Sequence, residues 1–230
     1  MLAALRGVLK EAWRLGLIDA ESYHRAADVK TVKGQTLPRG RSLPKGELRA
    51  LFDACAADSS PAGSRDSAIL ALLYGAGLRR SEVVALDVGD YNLEDGALTI
   101  RAAKGRKDRM GYATNGSALA LEAWLEIRGD KAGALFFPVR RGGHLVEKRM
   151  TSQAVFNMIR KRAEEAKVPP FSPHDLRRSF ISDLLDAGAD LATVQHLAGH
   201  SSVNTTARYD RRGEVAKRKA SELLAVPFRG

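Results

Sequence analysis

Four short stretches of this chain carry side chains suited to handling a phosphate. Gly77-Leu78-Arg79-Arg80-Ser81-Glu82 is a glycine break followed by a helix start bearing a guanidinium. Lys104 opens a polar, basic run, Lys104-Gly105-Arg106-Lys107-Asp108-Arg109. His174-Asp175-Leu176-Arg177 sets an imidazole and a guanidinium three residues apart, on one helical face. Leu197-Ala198-Gly199-His200 is followed nine positions later by Tyr209, within Thr205-Thr206-Ala207-Arg208-Tyr209. Arginine's planar fork donates two hydrogen bonds to a phosphate and stays charged. Cutting a phosphodiester without a metal calls for such cations, because charge spreads onto the non-bridging oxygens. A tyrosine, with an ordinary pKa of about 10, attacks only when cations lower that value or a base takes its proton.

The elements that must hold these residues read as mostly helical. Leu2, Leu5, Leu9, Trp13 and Leu17 recur at spacings of three and four, one apolar helix face that must pack on something else. Residues 30–46, with Pro38 and Pro44 among glycines and basic residues, read as an exposed linker. A helix then starts near Ser42-Leu43-Pro44-Lys45-Gly46-Glu47 and runs through Leu48, Leu51 and Phe52. Further helices are predicted at about 65–74, ended by Gly75 and Gly77, and at 80–86. Asp95-Gly96 is a turn signal, and 97–101 and 110–114 are β-prone runs with the basic hairpin tip between them. Helical periodicity returns over 117–128, 151–166, 174–187, 190–197 and 213–225. There is no internal repeat. The expected fold is mainly α with a small antiparallel β-sheet.

Composition narrows the partner. The chain has 230 residues, 44% hydrophobic and 28% charged, ordinary for a globular protein with a sizeable core. Lys plus Arg is 37 against 27 for Asp plus Glu, a formal net charge of +10 that points to a polyanion, nucleic acid or an anionic membrane surface. One cysteine, Cys55, excludes an internal disulfide framework and a Cys-rich zinc site, so a reducing cytoplasm is the default location. The longest apolar run, 68–74, is too short to span a bilayer, and Arg6, Lys10, Glu11 and Arg14 interrupt any signal-peptide core. His196 and His200 are four apart, a helical metal-ligand spacing, but Gly199 breaks the helix and no third ligand is placed nearby. The expectation is no metal and no cofactor.

Taken together, the four stretches, in this order and with a hairpin lysine between, resemble the catalytic domain of the tyrosine recombinases, the phage-integrase family of site-specific DNA strand exchangers. The resemblance covers about residues 42–225 and is most specific from His174 to Tyr209. It implies a mainly α catalytic domain over 42–230, and it makes 1–41 the terminal helix of a core-binding domain plus a linker, most of that domain being absent. It selects Arg79 and Arg177 as the phosphate-binding pair, with Glu82 orienting Arg79. It makes Tyr209 the nucleophile, forming a 3′-phosphotyrosine that stores the bond energy and releases a 5′-hydroxyl. Lys104 becomes the general acid for that oxygen, with Lys107 as its competitor. His174 assists proton movement at Tyr209 and His200 donates to a non-bridging oxygen. One departure is Met110-Gly111-Tyr112-Ala113, where the family has an apolar residue before a Pro-Leu pair, which leaves the register of the return strand open by a residue.

The implied partner is double-stranded DNA, with no membrane. Arg101, Arg106, Lys107, Arg109, Arg160 and Arg162 are the candidate phosphate contacts, and 151–166 is a candidate major-groove reader. Other basic pairs, Arg140-Arg141, Lys148-Arg149 and Arg211-Arg212, extend the set. The resemblance implies a homo-tetramer on DNA in which 213–225 docks onto a neighbour through Val215, Leu223 and Leu224; packing back in cis is the alternative, and a monomer without DNA stays open. Two other functions stay open as well. A type IB topoisomerase or telomere resolvase would use the same residues and rejoin differently. A non-catalytic DNA-binding module would have no use for Arg79, Lys104, His174, Arg177, His200 and Tyr209 together.

Overall fold

The computed structural model describes residues 2–29, 40–101, 108–210, 213, 218 and 221–222. The chain divides into two compact units, Met1–Arg39 and Gly40–Gly230. Among the described residues no helix is long and apolar enough to cross a membrane.

The first unit holds two helices where one was expected, α1 (Leu2–Arg14) and α2 (Ala20–Ala27). The Asp19 carboxylate starts α2 by accepting the Ser22 amide at 2.8 Å. Trp13 stacks on Tyr23 with centroids 5.2 Å apart, and the Arg6 guanidinium caps the far end of α2 at the carbonyls of Ala27 and Val29. Leu5, Trp13 and Leu17 of the apolar stripe stay exposed within this unit.

The second unit contains α3 (Lys45–Ala56), α4 (Pro61–Gly75), α5 (Arg80–Ala85), a 3-10 turn (Val88–Asp90), β1 (Ala97–Ile100), β2 (Arg109–Tyr112), α6 (Gly116–Arg128), α7 (Ser152–Glu165), α8 (Pro173–Asp186), α9 (Leu191–Ala198) and α10 (Val203–Ala207). Helix α4 is the hub. Ala68, Ile69, Leu70, Leu72 and Leu73 are all buried, so it is apolar all round and packs against α3, α6 and α8. It starts a turn earlier than expected, because Pro61 takes the first helical position and the Ser60 hydroxyl accepts the Ala62 amide. Trp124 fills the space between α6 and the following loop, with its indole N–H on the Leu135 carbonyl at 2.9 Å. A second, smaller core joins Phe180, Ile181 and Leu185 of α8 to Val194 and Ala198 of α9. The sheet is a two-stranded antiparallel hairpin whose register pairs Ala97 with Tyr112 and Ile100 with Arg109.

Two expectations change. Residues 40–44 are not an exposed linker: Leu43 is buried, its amide donates to Ser179 Oγ, and the Arg41 amide donates to Asp175. Helix α10 carried no apolar period of its own and was not expected. The expected helix at 213–225 lies mostly outside the described residues, as do Lys104, Arg106, Lys107 and Arg211-Arg212.

Arg162 is also relocated. Its side chain is 1% exposed and bonds three carboxylates, Asp66 at 2.8 Å, Asp58 at 2.6 Å and Glu165 at 2.8 Å, while Arg65 holds the other oxygen of Asp66. It ties α7 to α4 and the α3–α4 loop and is no phosphate contact. Arg162→Ala strands the buried Asp66 with half its partners and should cost about 3–5 kcal/mol of stability, read by urea unfolding at pH 7.

Candidate active site

Five of the six residues expected to carry the reaction lie among the described residues, and they gather around the C-terminal end of α9. A helix leaves its last carbonyls without intrahelical partners. Here they are met by guanidiniums from three different elements. Arg109, the first residue of β2, donates Nε to Leu197 O at 3.2 Å; Arg177 of α8 donates to Ala198 O; Arg79, just before α5, donates Nη2 to Gly199 O at 3.0 Å. Arg177 also donates to Gly77 O and is almost wholly buried. The chain turns sharply after α9 because Gly199 adopts a left-handed conformation with φ +58°. A side chain there would meet Arg109 Cδ at 2.7 Å. Gly77 has the same constraint at φ +62°, where an added Cβ would sit 2.3 Å from the Phe180 ring.

Glu82 binds two of these arginines at once. One oxygen takes Arg79 Nη1 at 2.6 Å and Arg109 Nη1 at 2.9 Å; the other takes the Arg79 amide at 2.7 Å and Arg109 Nη2 at 2.9 Å. Burial alone would raise its carboxyl. The Arg109 hydrogen bonds, the Arg79 amide and the attendant positive charge outweigh that and hold it at about 2. Glu82 therefore does more than orient Arg79. Arg109, expected to contact phosphate from the hairpin, is instead turned inward onto Glu82.

The imidazoles sit in a strongly cationic surround. Burial, then the Arg177 and Arg79 charges, push His200 down to about 4. Burial and Arg177 likewise lower His174. Both rings are neutral near pH 7. Burial and the neighbouring Arg79 bring even Arg177 down to about 9, still charged at neutral pH. His174 Nε2 lies 3.4 Å from the Tyr209 hydroxyl, and the Tyr209 ring lies beneath the Arg178 guanidinium, 5.4 Å from its centroid. His200 Nδ1 is 2.9 Å from Thr206 Oγ1. Beside this cluster a cleft of about 420 Å³ is lined by Arg79, Ser81, Ser152, Phe156, His174 and Arg177.

Of the candidate phosphate contacts, Arg160 stands exposed on α7. The Arg101 side chain is 70% exposed while bonding Asp90 at 2.6 Å. Arg149, from the wider basic set, is committed to Asp87 and to the Val84 and Leu86 carbonyls. The inward role of Arg109 was missed because its only sequence signal was the basic run it ends. Thr206 reads in sequence only as part of the Thr-Thr-x-x-Tyr frame around Tyr209, with no role of its own.

A mainly helical domain that gathers two clamped arginines, two histidines and a tyrosine around one helix end, beside a cleft lined by Arg79, His174 and Arg177, has the architecture of a tyrosine recombinase catalytic domain. The crystal structure of XerA recombinase shares the fold at a TM-score of 0.64 and 23% identity, over 95% of this chain and 82% of that one. XerH site-specific recombinase, bound to palindromic difH substrate in a post-cleavage complex, matches at 0.63 and 25% identity, over 85% of this chain and 56% of its own. The model of the phage integrase family matches residues 41–214, and the chain belongs to that family. Tyrosine recombinase XerD of Pseudomonas aeruginosa is 36% identical over 230 residues, 97% of this chain and 72% of that protein. Tyrosine recombinase XerC of Corynebacterium efficiens is 36% identical over 214 residues, 90% of this chain and 64% of that protein. The chain thus spans about two thirds of the length of these curated relatives.

The low Glu82 value has a consequence for acid stability. A carboxyl lowered from 4.5 to about 2 on folding stabilises the fold above pH 4.5, and that contribution drains away as pH falls towards 2. Its full size is roughly 3 kcal/mol. Glu82→Gln should lose most of it at pH 7 and flatten the stability profile over that window, measured by urea unfolding across pH 2–7.

Proposed function

We propose that this chain is the catalytic part of a site-specific recombinase that cuts and rejoins double-stranded DNA through a 3′-phosphotyrosine, with no metal or high-energy cofactor. The observation that carries the reading is the convergence of Arg79, Arg177 and His174 on one cleft, with the Tyr209 hydroxyl 3.4 Å from the His174 imidazole. Glu82 offsets Arg79, while Arg177 bonds only carbonyls among its described hydrogen bonds, so the cluster keeps positive charge for a phosphodiester to meet.

The proposed step exchanges one phosphate ester for another. Tyr209 Oη attacks phosphorus, and its proton passes to His174 Nε2, 3.4 Å away. The Arg79 and Arg177 forks neutralise the charge growing on the non-bridging oxygens, and His200 donates a third hydrogen bond there. The bond to the 5′ oxygen breaks, and Lys104 gives that oxygen its proton. Rejoining runs the same steps backwards with a 5′-hydroxyl from another strand. Because the phosphotyrosine keeps the bond energy, no outside energy source enters the balance.

Family membership supports DNA as the partner, as do the net charge of +10 and the structural likeness to recombinases seen with DNA. Our reading of Arg101, Arg106, Lys107 and Arg160 is that they add phosphate contacts. The working assembly is a homo-tetramer on DNA joined by exchange of the helix at 213–225, residues 1–41 belong to a core-binding domain and its linker, and the setting is the cytoplasm.

The test is a nicked duplex that traps the covalent intermediate, drawn from the DNA the chain enriches out of a random-sequence pool. The wild-type chain should form a covalent adduct and Tyr209→Phe none; an adduct with Tyr209→Phe would overturn the assignment. Arg177→Ala should slow cleavage about 100- to 1,000-fold, the cost of losing one preorganised donor to a developing anion. A 5′-sulfur leaving group, which needs no proton, should rescue Lys104→Ala.

A further inference from the structure

The His200 ring can serve the phosphate only if the nitrogen facing it carries a proton, and a neutral imidazole has one proton for two nitrogens. Which nitrogen holds it decides the donor. The answer lies in the partner of the other nitrogen. His200 Nδ1 is 2.9 Å from Thr206 Oγ1, and Thr206 is fully buried on α10, three residues before Tyr209. Among the described residues the Thr206 hydroxyl has no other hydrogen-bond partner; in particular it does not turn back onto a carbonyl of its own helix, as threonines in helices often do.

Proton accounting then chooses between two arrangements. If Nδ1 carried the proton and donated to Thr206, the hydroxyl's own hydrogen would be buried without an acceptor, a costly vacancy. If the hydroxyl donates to Nδ1, every buried proton is used, and the ring proton falls on Nε2. The backbone of His200 is held separately, its carbonyl accepting the Gln195 amide side chain at 3.0 Å. The Thr206 bond therefore governs the ring alone.

We infer that Thr206 is a positioning residue: its hydroxyl fixes His200 as the Nε2–H tautomer, so that the phosphate donor is set by the same turn of chain that delivers Tyr209. This rests on the recombinase reading for its purpose, but its structural core stands without DNA. Withdrawal of α10 would remove the nucleophile and release the tautomer of His200 in one movement.

The experiment uses the full chain labelled with ¹⁵N. Long-range ¹⁵N–¹H spectra of the histidine rings near pH 7, with His200 assigned by its disappearance in His200→Gln, report the tautomer directly. The wild-type chain should show Nε2–H at His200. Thr206→Val keeps the shape and removes the hydroxyl; it should bring up Nδ1–H and slow cleavage of the nicked duplex about tenfold, the worth of one net hydrogen bond, with DNA affinity unchanged. Thr206→Ser should restore both tautomer and rate, which a purely packing role for the threonine methyl would not allow. A wild-type Nδ1–H tautomer overturns the inference, as does Thr206→Val with an unchanged spectrum or an unslowed rate. Should Thr206→Val not fold, judged by its melting transition, Thr206→Ala makes the same test. Absence of any wild-type adduct would overturn the recombinase reading and leave the spectra to judge Thr206 independently.

Discussion

The site is organised by a shortage of hydrogen-bond donors at one helix end. Helix α9 finishes with the carbonyls of Leu197, Ala198 and Gly199 facing away from its own ladder, at the negative end of its dipole. Guanidiniums from β2, α8 and the start of α5 fill the shortage, one carbonyl each. Three elements far apart in sequence are thereby drawn to one point, and what arrives there is positive charge. A helix C-terminus can hold such a cluster where a helix N-terminus would repel it. The same turn requires Gly199, since its left-handed backbone and the closeness of Arg109 both exclude a side chain.

Glu82 keeps this accumulation of charge tolerable. It lies between Arg79 and Arg109 and bonds both through both oxygens. Arg109 thus satisfies half of Glu82, which leaves Arg79 one guanidinium contact to that carboxylate and one to Gly199 O. Arg177 has no carboxylate of its own among its described hydrogen bonds, only carbonyls. Burial first, and then the charge of neighbouring arginines, lowers Arg177, His174 and His200 alike. The division is uneven: of the two arginines that line the cleft, Arg79 has a carboxylate partner and Arg177 has carbonyls.

Much of this was legible in sequence because local frames carry it. Gly77-Leu78 before Arg79 and the three-residue step from His174 to Arg177 fix the register of the two arginines that the family resemblance selects. The helices with strong periods, such as 117–128 and 151–166, fell within a residue or two of α6 and α7. What the sequence hid was set by partners distant along the chain. Arg162 reads as one of three consecutive basic residues, yet it meets Asp66, 96 residues earlier, inside the core. Arg109 reads as the end of a basic loop, yet its partners are Glu82 and Leu197. Residues 40–44 look like linker until Ser179 and Asp175 supply their hydrogen bonds from α8. Charge in a sequence says that a side chain needs a partner; it does not say whether that partner is DNA or another part of the fold.

Helix α10 has five residues, far below the length at which a helix persists by its own ladder. It is kept by what it touches: Thr206 on the His200 ring, and Tyr209 against the α8–α9 core and near His174. Losing any one of these contacts weakens the others, since each depends on the backbone of the same short turn. In the proposed reaction readiness to cut is therefore cooperative, because one short turn carries both Thr206 and Tyr209 and a strand would be met by both or by neither.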